Sequence, residues 1–196
     1  MSNSIYRAVF SSVPGSELMF GRYVLTDKKK DETHEQHELR TWQEKIHNAD
    51  GHCFIQPFAL KNALESAGKW LSMKIPGEGK KTFTDRFRKG VLVVDRMMLG
   101  AKDGSPIKVK QVESRSLFVP SDGKRGGSRR VFRIFPTISE WSTEILIHVM
   151  DGKIDESVLR DHLECVGSFV GFGSMRVENG GINGRFSVDS LEVVSS

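Results

Sequence analysis

Two segments of the chain place cations and aromatic rings close together. From Lys69 to Lys89 there are seven bases against Glu78 and Asp85, with Phe83 and Phe87 among them. From Lys102 to Arg133 nine bases stand against three acids, with Phe118 and Phe132 in the run. Single-stranded nucleic acid needs cations for its phosphates and flat rings for its bases, and these segments offer both. The pattern assigns phosphates to Lys80, Lys81, Arg86, Arg88, Lys124, Arg125, Arg129 and Arg130, and bases to Phe83 or Phe87. The plainer reading is a solvated basic surface with the phenylalanines in the core.

A second group is the glycine-rich stretch Gly171–Gly184, which holds Gly171, Gly173, Gly180, Gly181 and Gly184. It follows a helical pattern instead of opening one, so it is not a dinucleotide fingerprint. Gly77-Glu-Gly-Lys-Lys-Thr lacks the spacing of a Walker A loop. The glycines either permit turns with positive φ or let a phosphate chain approach the backbone beside Arg176 and Arg185. His34, His37, His47, His52 and Cys53 suggest a metal, yet no paired Cys-x-x-Cys accompanies them. No metal or cofactor is expected. A histidine such as His34, His37 or His52 could promote attack by an RNA 2′-OH. No short motif fixes such a pair, so the chain is read as non-enzymatic, with a metal-independent endoribonuclease as the alternative.

These groups must be held by a scaffold of 196 residues, which suits one domain with insertions. No apolar run approaches the roughly 20 residues that cross a bilayer, and Met1–Arg7 shows no secretory h-region. Cys53 and Cys165 sit in apolar settings, as expected of buried thiols in a reducing compartment. Net charge is +4 but unevenly placed. Residues 151–196 carry eight acids and four bases, hence −4, so residues 1–150 carry +8. Such asymmetry suggests a basic face offered to an anionic partner.

Hydrophobic periodicity supplies the elements. Strands are predicted at Ile5–Phe10, Leu18–Leu25, Val91–Leu99, Glu144–Met150 and Arg185–Val194. Helices are predicted at Pro57–Ser72 and Asp155–Val170, with a short one in Glu35–Ile46 on a stripe of Leu39, Trp42 and Ile46. Trp70 is placed on the buried stripe of the first core helix and His162 on that of the second. Ile107–Val112 alternates and is read as a hairpin arm, Ser116–Val119 as another extended piece and Pro120–Arg130 as a basic loop, after which Val131–Pro136 alternates again. Setting the insertions aside, the order is strand, helix, strand, strand, helix, strand. That is an α+β, ferredoxin-like (RRM-like) split βαβ fold. It is read as a single domain over 1–196, with insertions at about 27–52 and 100–140.

This arrangement, a basic hairpin between two βαβ halves and a glycine-rich loop before the last strand, resembles the CRISPR-associated RAMP superfamily, especially its backbone subunits. Phe54-Ile-Gln-Pro-Phe-Ala-Leu-Lys-Asn-Ala-Leu is similar to that family's helix entry. The ending Gly171-Phe-Gly-Ser-Met-Arg-Val-Glu-Asn-Gly-Gly-Ile-Asn-Gly-Arg-Phe looks like that of a group of uncharacterised bacteriophage proteins. The resemblance implies a protein that packs side by side along a strand, in the cytoplasm of a bacterial or phage-infected cell. It implies that Lys61, the loop around Lys124–Arg130, Arg176 and Arg185 face single-stranded RNA or DNA. It also implies self-association into a filament or complex. A third class, a protein-binding inhibitor or assembly module using the basic face against an acidic partner, stays open.

Overall fold

The computed structural model describes residues 4–121, 126 and 129–195. Strands run at Ser4–Ser12 (β1), Leu18–Met19 (β2), Asn48–Ala49 (β3), His52–Ile55 (β4), Val91–Leu92 (β5), Met97–Met98 (β6), Glu113–Pro120 (β7), Arg130–Ile138 (β8), Ser142–Val149 (β9) and Phe186–Ser195 (β10). Helices run at His34–Thr41 (α1), Pro57–Leu71 (α2), Thr84–Gly90 (α3) and Glu156–Cys165 (α4). The central sheet has the order β10-β1-β9-β5, and every pairing in it is antiparallel. Numbered within the split βαβ units, that order is 4-1-3-2, the ferredoxin-like topology. The fold is α+β and ferredoxin-like.

Alternation along β1 buries Tyr6, Ala8 and Phe10 against the helices. Leu60, Ala63, Leu64 and Ala67 of α2 and Leu159 and Leu163 of α4 meet them in one core. Pro57 occupies the first turn of α2, where its missing N–H costs nothing. Asp155 caps α4, accepting the Val158 amide at 2.9 Å. A five-residue π-turn, Val166–Val170, extends α4 to the end predicted for it. α1 starts on a capping box, Thr33 with Gln36. Leu39 and Trp70, both assigned to buried stripes, are instead exposed.

Three expected elements differ. The strand predicted at Val91–Leu99 is broken. Leu92 pairs with His148 and Gly100 with Ser142. Eight residue steps separate the first two on this side, and six on β9, so two residues must loop out. Val94, Asp95 and Arg96 are the exposed ones, and β6 pairs away with β4. The strand predicted at Leu18–Leu25 stops at Met19; beyond Phe20 the chain runs as an exposed strap. Ile107–Val112 is no hairpin arm. Ile107 bonds to Leu99 and Cys53, and a 3-10 turn follows at Val109–Gln111. The hairpin lies one element later, β7 with β8, and its base pairs with β2.

Candidate nucleic-acid interface

Five of the seven cations in the first basic segment, Lys69, Lys81, Arg86, Arg88 and Lys89, pair with carboxylates. Arg86 bridges Asp151 at 2.6 Å and Glu78 at 2.5 Å. The bond to Asp151, and the charges of both carboxylates, hold its guanidinium above the ordinary arginine value. Lys81 lies 3.5 Å from Glu78, and Arg88 2.6 Å from Asp85. Lys80 is exposed with no ion-pair partner among the described residues. The rings are not available: Phe83 is 2% and Phe87 0% exposed. Phe87 stacks on buried His162 at 4.0 Å and Phe83 meets that ring edge-on. The assignment of bases to Phe83 and Phe87 is therefore corrected, because three helices close over both. His162, placed on the buried stripe, is buried as expected; its Nδ1 donates to the Val158 carbonyl at 2.7 Å.

Lys61 is corrected as well. Its ammonium donates to the carbonyls of Phe87, at 2.8 Å, and Val91. It thus satisfies carbonyls at the end of α3, where a cation also complements the helix dipole. Burial draws its pKa below the ordinary lysine value. Held so, its ammonium is engaged with the protein's own backbone.

The glycine loop is shaped by packing. A Cβ on Gly184, at φ +72°, would lie 1.9 Å from the Phe172 carbonyl. One on Gly173, at φ +77°, would lie 2.4 Å from that of Met19. These glycines let the loop lie against β2 and itself, which accounts for them without a phosphate. Arg176 is tied to Glu178 at 2.7 Å. Arg185 is exposed, with its backbone amide on Ser16.

The hairpin joins positive charge to an exposed ring, Phe118, although its Arg115 and Arg133 pair with Glu17 and Glu38. Residues 113–138 carry six bases and two acids, a net +4 equal to that of the whole chain. Arg129 and Arg130 are exposed at its far end; Lys124 and Arg125 lie outside the described residues. Phe118 stands opposite Phe132 in the ladder, edge to face at 5.7 Å, and is 65% exposed. Arg130 donates to the Phe118 backbone carbonyl at 3.1 Å, which ties a guanidinium to that residue's backbone. At the hairpin's base, buried Glu38 accepts from Lys45 at 2.5 Å, Arg133 at 2.6 Å and the Ile134 amide at 2.9 Å. Burial alone would raise its carboxyl, but these donors hold it below the ordinary glutamate value. Lys45 also donates to the Ile134 carbonyl. One ion-paired cluster thereby fastens α1 to β8.

The sheet face away from the helices offers no stacking platform. Its register presents Ile5, Arg7 and Val9 of β1 beside Glu144, Leu146 and His148 of β9 and Ser190 and Glu192 of β10. None of these is a Phe, Tyr or Trp, and Arg7 is paired with Glu144 at 3.2 Å. The exposed rings lie elsewhere: Tyr23 on the strap, Phe58 at the start of α2, Phe118 on the hairpin, and Trp70 with Phe169.

The histidines are dispersed. His37 bonds to the Thr26 carbonyl and His52 to that of Leu99, each at 2.8 Å, while His34 is exposed. No cluster of three His, Cys, Asp or Glu suited to a metal occurs among the described residues. Both cysteines are buried and free, and burial pushes the Cys53 thiol up to about 11. No helix among the described residues is long and apolar enough to cross a membrane.

Sequence reasoning missed a cleft of about 210 Å³ at the start of α2. Its walls come from Leu18–Phe20, Ile55, Phe58 and Ala59, and its polar groups are Arg22, His47, Gln56 and Ser174. The available signal was Phe58, which falls off the buried stripe of α2.

Fold and surface together define a ferredoxin-like protein with a cationic hairpin arm. No family model matches the sequence, and no curated protein matches it. A solved chain in the cryo-EM structure of the Type III-B Cmr-beta bound to cognate target RNA aligns over 98% of this chain, at 11% identity and a TM-score of 0.48. This chain spans 61% of the length of that one. At that identity and score the likeness says nothing of what this chain binds.

Proposed function

We propose that the protein binds single-stranded nucleic acid, without catalysis, through the β7–β8 hairpin. The observation that supports this most is the exposed Phe118, its backbone carbonyl tied to Arg130, on an arm whose net charge equals that of the whole chain. A ring offers a sequence-tolerant face to a base, and the surrounding guanidiniums neutralise phosphates. Arg129 and Arg130, with Lys124 and Arg125 between β7 and β8 in the sequence, are the phosphate contacts, and the exposed Lys80 and Arg185 add charge elsewhere on the surface. Self-association along the strand belongs to the same reading. It is supported by β10, ten residues long at the edge of the sheet, with Val193 and Val194 exposed.

The test is fluorescence anisotropy with labelled single-stranded RNA and DNA at low salt. The expected result is binding that falls about 10-fold in Phe118→Ala, in line with the loss of one stacked base. Absence of binding to either strand, together with retention of an acidic protein on purification, would instead favour the protein-binding class.

A further inference from the structure

The cleft at the start of α2 carries a more specific assignment. Its walls are apolar, formed by the backbone and side chains of Leu18–Phe20 with Ile55 and Ala59, and Phe58 stands at its rim 60% exposed. The wall is continuous because Ser174 donates its amide to the Met19 carbonyl at 2.7 Å, and a Cβ on Gly21 would lie 2.2 Å from the Ser174 hydroxyl. At about 210 Å³ it has room for one planar heterocycle and not for a folded peptide segment. Pockets of this kind, mostly apolar with a few convergent polar groups, are where small ligands sit.

The polar groups have fixed roles. Gln56 Nε2 lies 3.3 Å from His47 Nδ1. His47 is held neutral near pH 7, because burial, and then the Arg22 charge, draw its pKa below the ordinary histidine value. The Gln56 amide nitrogen can only donate, so Nδ1 accepts its N–H. That leaves Gln56 with Oε1 as an acceptor and a second N–H as a donor. An amide presenting acceptor and donor side by side matches the edge of a nucleobase. Arg22, exposed at the cleft on the strap, supplies the cation for an adjoining phosphate.

We infer that this cleft takes one unstacked base of the bound strand, with its edge on the Gln56 amide, its face against Phe58 and its phosphate on Arg22. This rests on the strand-binding reading above. It adds a site that recognises a base, where the hairpin supplies charge and one sequence-tolerant ring.

The experiment compares a labelled 20-mer RNA with an abasic RNA of the same length, on wild-type protein, Gln56→Ala, Phe58→Ala and Ala59→Trp. The first two remove the reader and the ring at partly exposed positions, and the third fills the cleft while leaving both in place. Wild type should prefer the base-bearing strand by about 10-fold, and each variant should lose most of that margin while binding the abasic strand as before. Arg129→Ala/Arg130→Ala should weaken both strands and keep the margin. Variants that keep the full margin overturn the base cleft while leaving strand binding intact. If neither strand binds, strand binding itself falls. Adenosine 5′-monophosphate then decides the cleft: saturable binding abolished by Phe58→Ala supports a base site, and its absence overturns one.

Discussion

At the scale of single residues, the fate of each cation depends on whether a carboxylate or a carbonyl lies within reach. Lys61 illustrates the point. Its sequence position at the helix entry suggests a strand contact, but its ammonium closes the end of α3. Lys61→Met should therefore cost about 1–3 kcal/mol of stability by urea denaturation and leave oligonucleotide affinity within about 2-fold. Unchanged stability with lost affinity would restore it as a phosphate ligand. His162 makes a second case. Burial holds its folded pKa below the ordinary value, with the Val158 carbonyl and Asp161 opposing. The unfolded chain takes up a proton as pH falls through about 6.5, and the folded protein resists it. Stability should thus be fully present above that pH and decline below it, by up to about 1.4 kcal/mol per pH unit for one such group. His47, shifted the same way by burial and Arg22, adds to the effect. His162→Gln should flatten the unfolding midpoint between about pH 5 and 6.5; an unaltered pH profile would contradict the assignment.

At the scale of elements, the hairpin is held by a buried cluster. Glu38, from an insertion whose helix shows only a thin apolar stripe, reaches across to the Ile134 amide and to Arg133 and Lys45. Removing one member of a buried ion pair leaves an uncompensated charge. Glu38→Gln should cost about 3 kcal/mol in global stability, measured by chemical denaturation. A loss near zero would mean that α1 and the hairpin are not fastened there. The elements themselves were readable where one face is buried. β1, α2, β9, α4 and β10 all fall close to their periodic patterns, because alternation or a helical stripe follows directly from burial. The break in Val91–Leu99 was not readable. Val91 and Leu92 satisfy a strand pattern, as do Met97 and Met98, yet the two pairs join different sheets. That choice is made by β4 and by Ser142, both distant in sequence. Ser116–Val119 and Val131–Pro136 fall inside β7 and β8, but the hairpin arm assigned to Ile107–Val112 lies one element too early, for a similar reason. Ile107 and Val112 are buried, but Ile107 bonds to Cys53 of β4 and to Leu99 as isolated contacts, and Val112 donates back to Val109 in the 3-10 turn, so no ladder forms.

At the scale of the whole molecule, the charge asymmetry read from composition survives, but its location sharpens. Of the two basic segments, 69–89 has five of its seven cations paired with Glu65, Glu78, Asp85 or Asp151. A linear count of bases could not show this, because Asp151 lies 65 residues from its partner Arg86. Phe83 and Phe87 could not be told from exposed rings by spacing alone, since a short helix in a basic loop hides which face the core takes. The sheet face, a common platform in folds of this class, is unsuited here to stacking, so the proposed function assigns that role to the hairpin and the cleft by α2. The central claim is thus that strand affinity resides in the hairpin's cations. The most direct measurement is the slope of log K against log salt concentration for single-stranded RNA, on wild type and on Arg129→Ala/Arg130→Ala. Each phosphate contact on a single strand contributes about 0.7 to that slope. The double variant should bind more weakly at low salt, with a slope shallower by about 1.4. An unchanged slope, with unchanged affinity, would place the phosphate contacts elsewhere and contradict the claim.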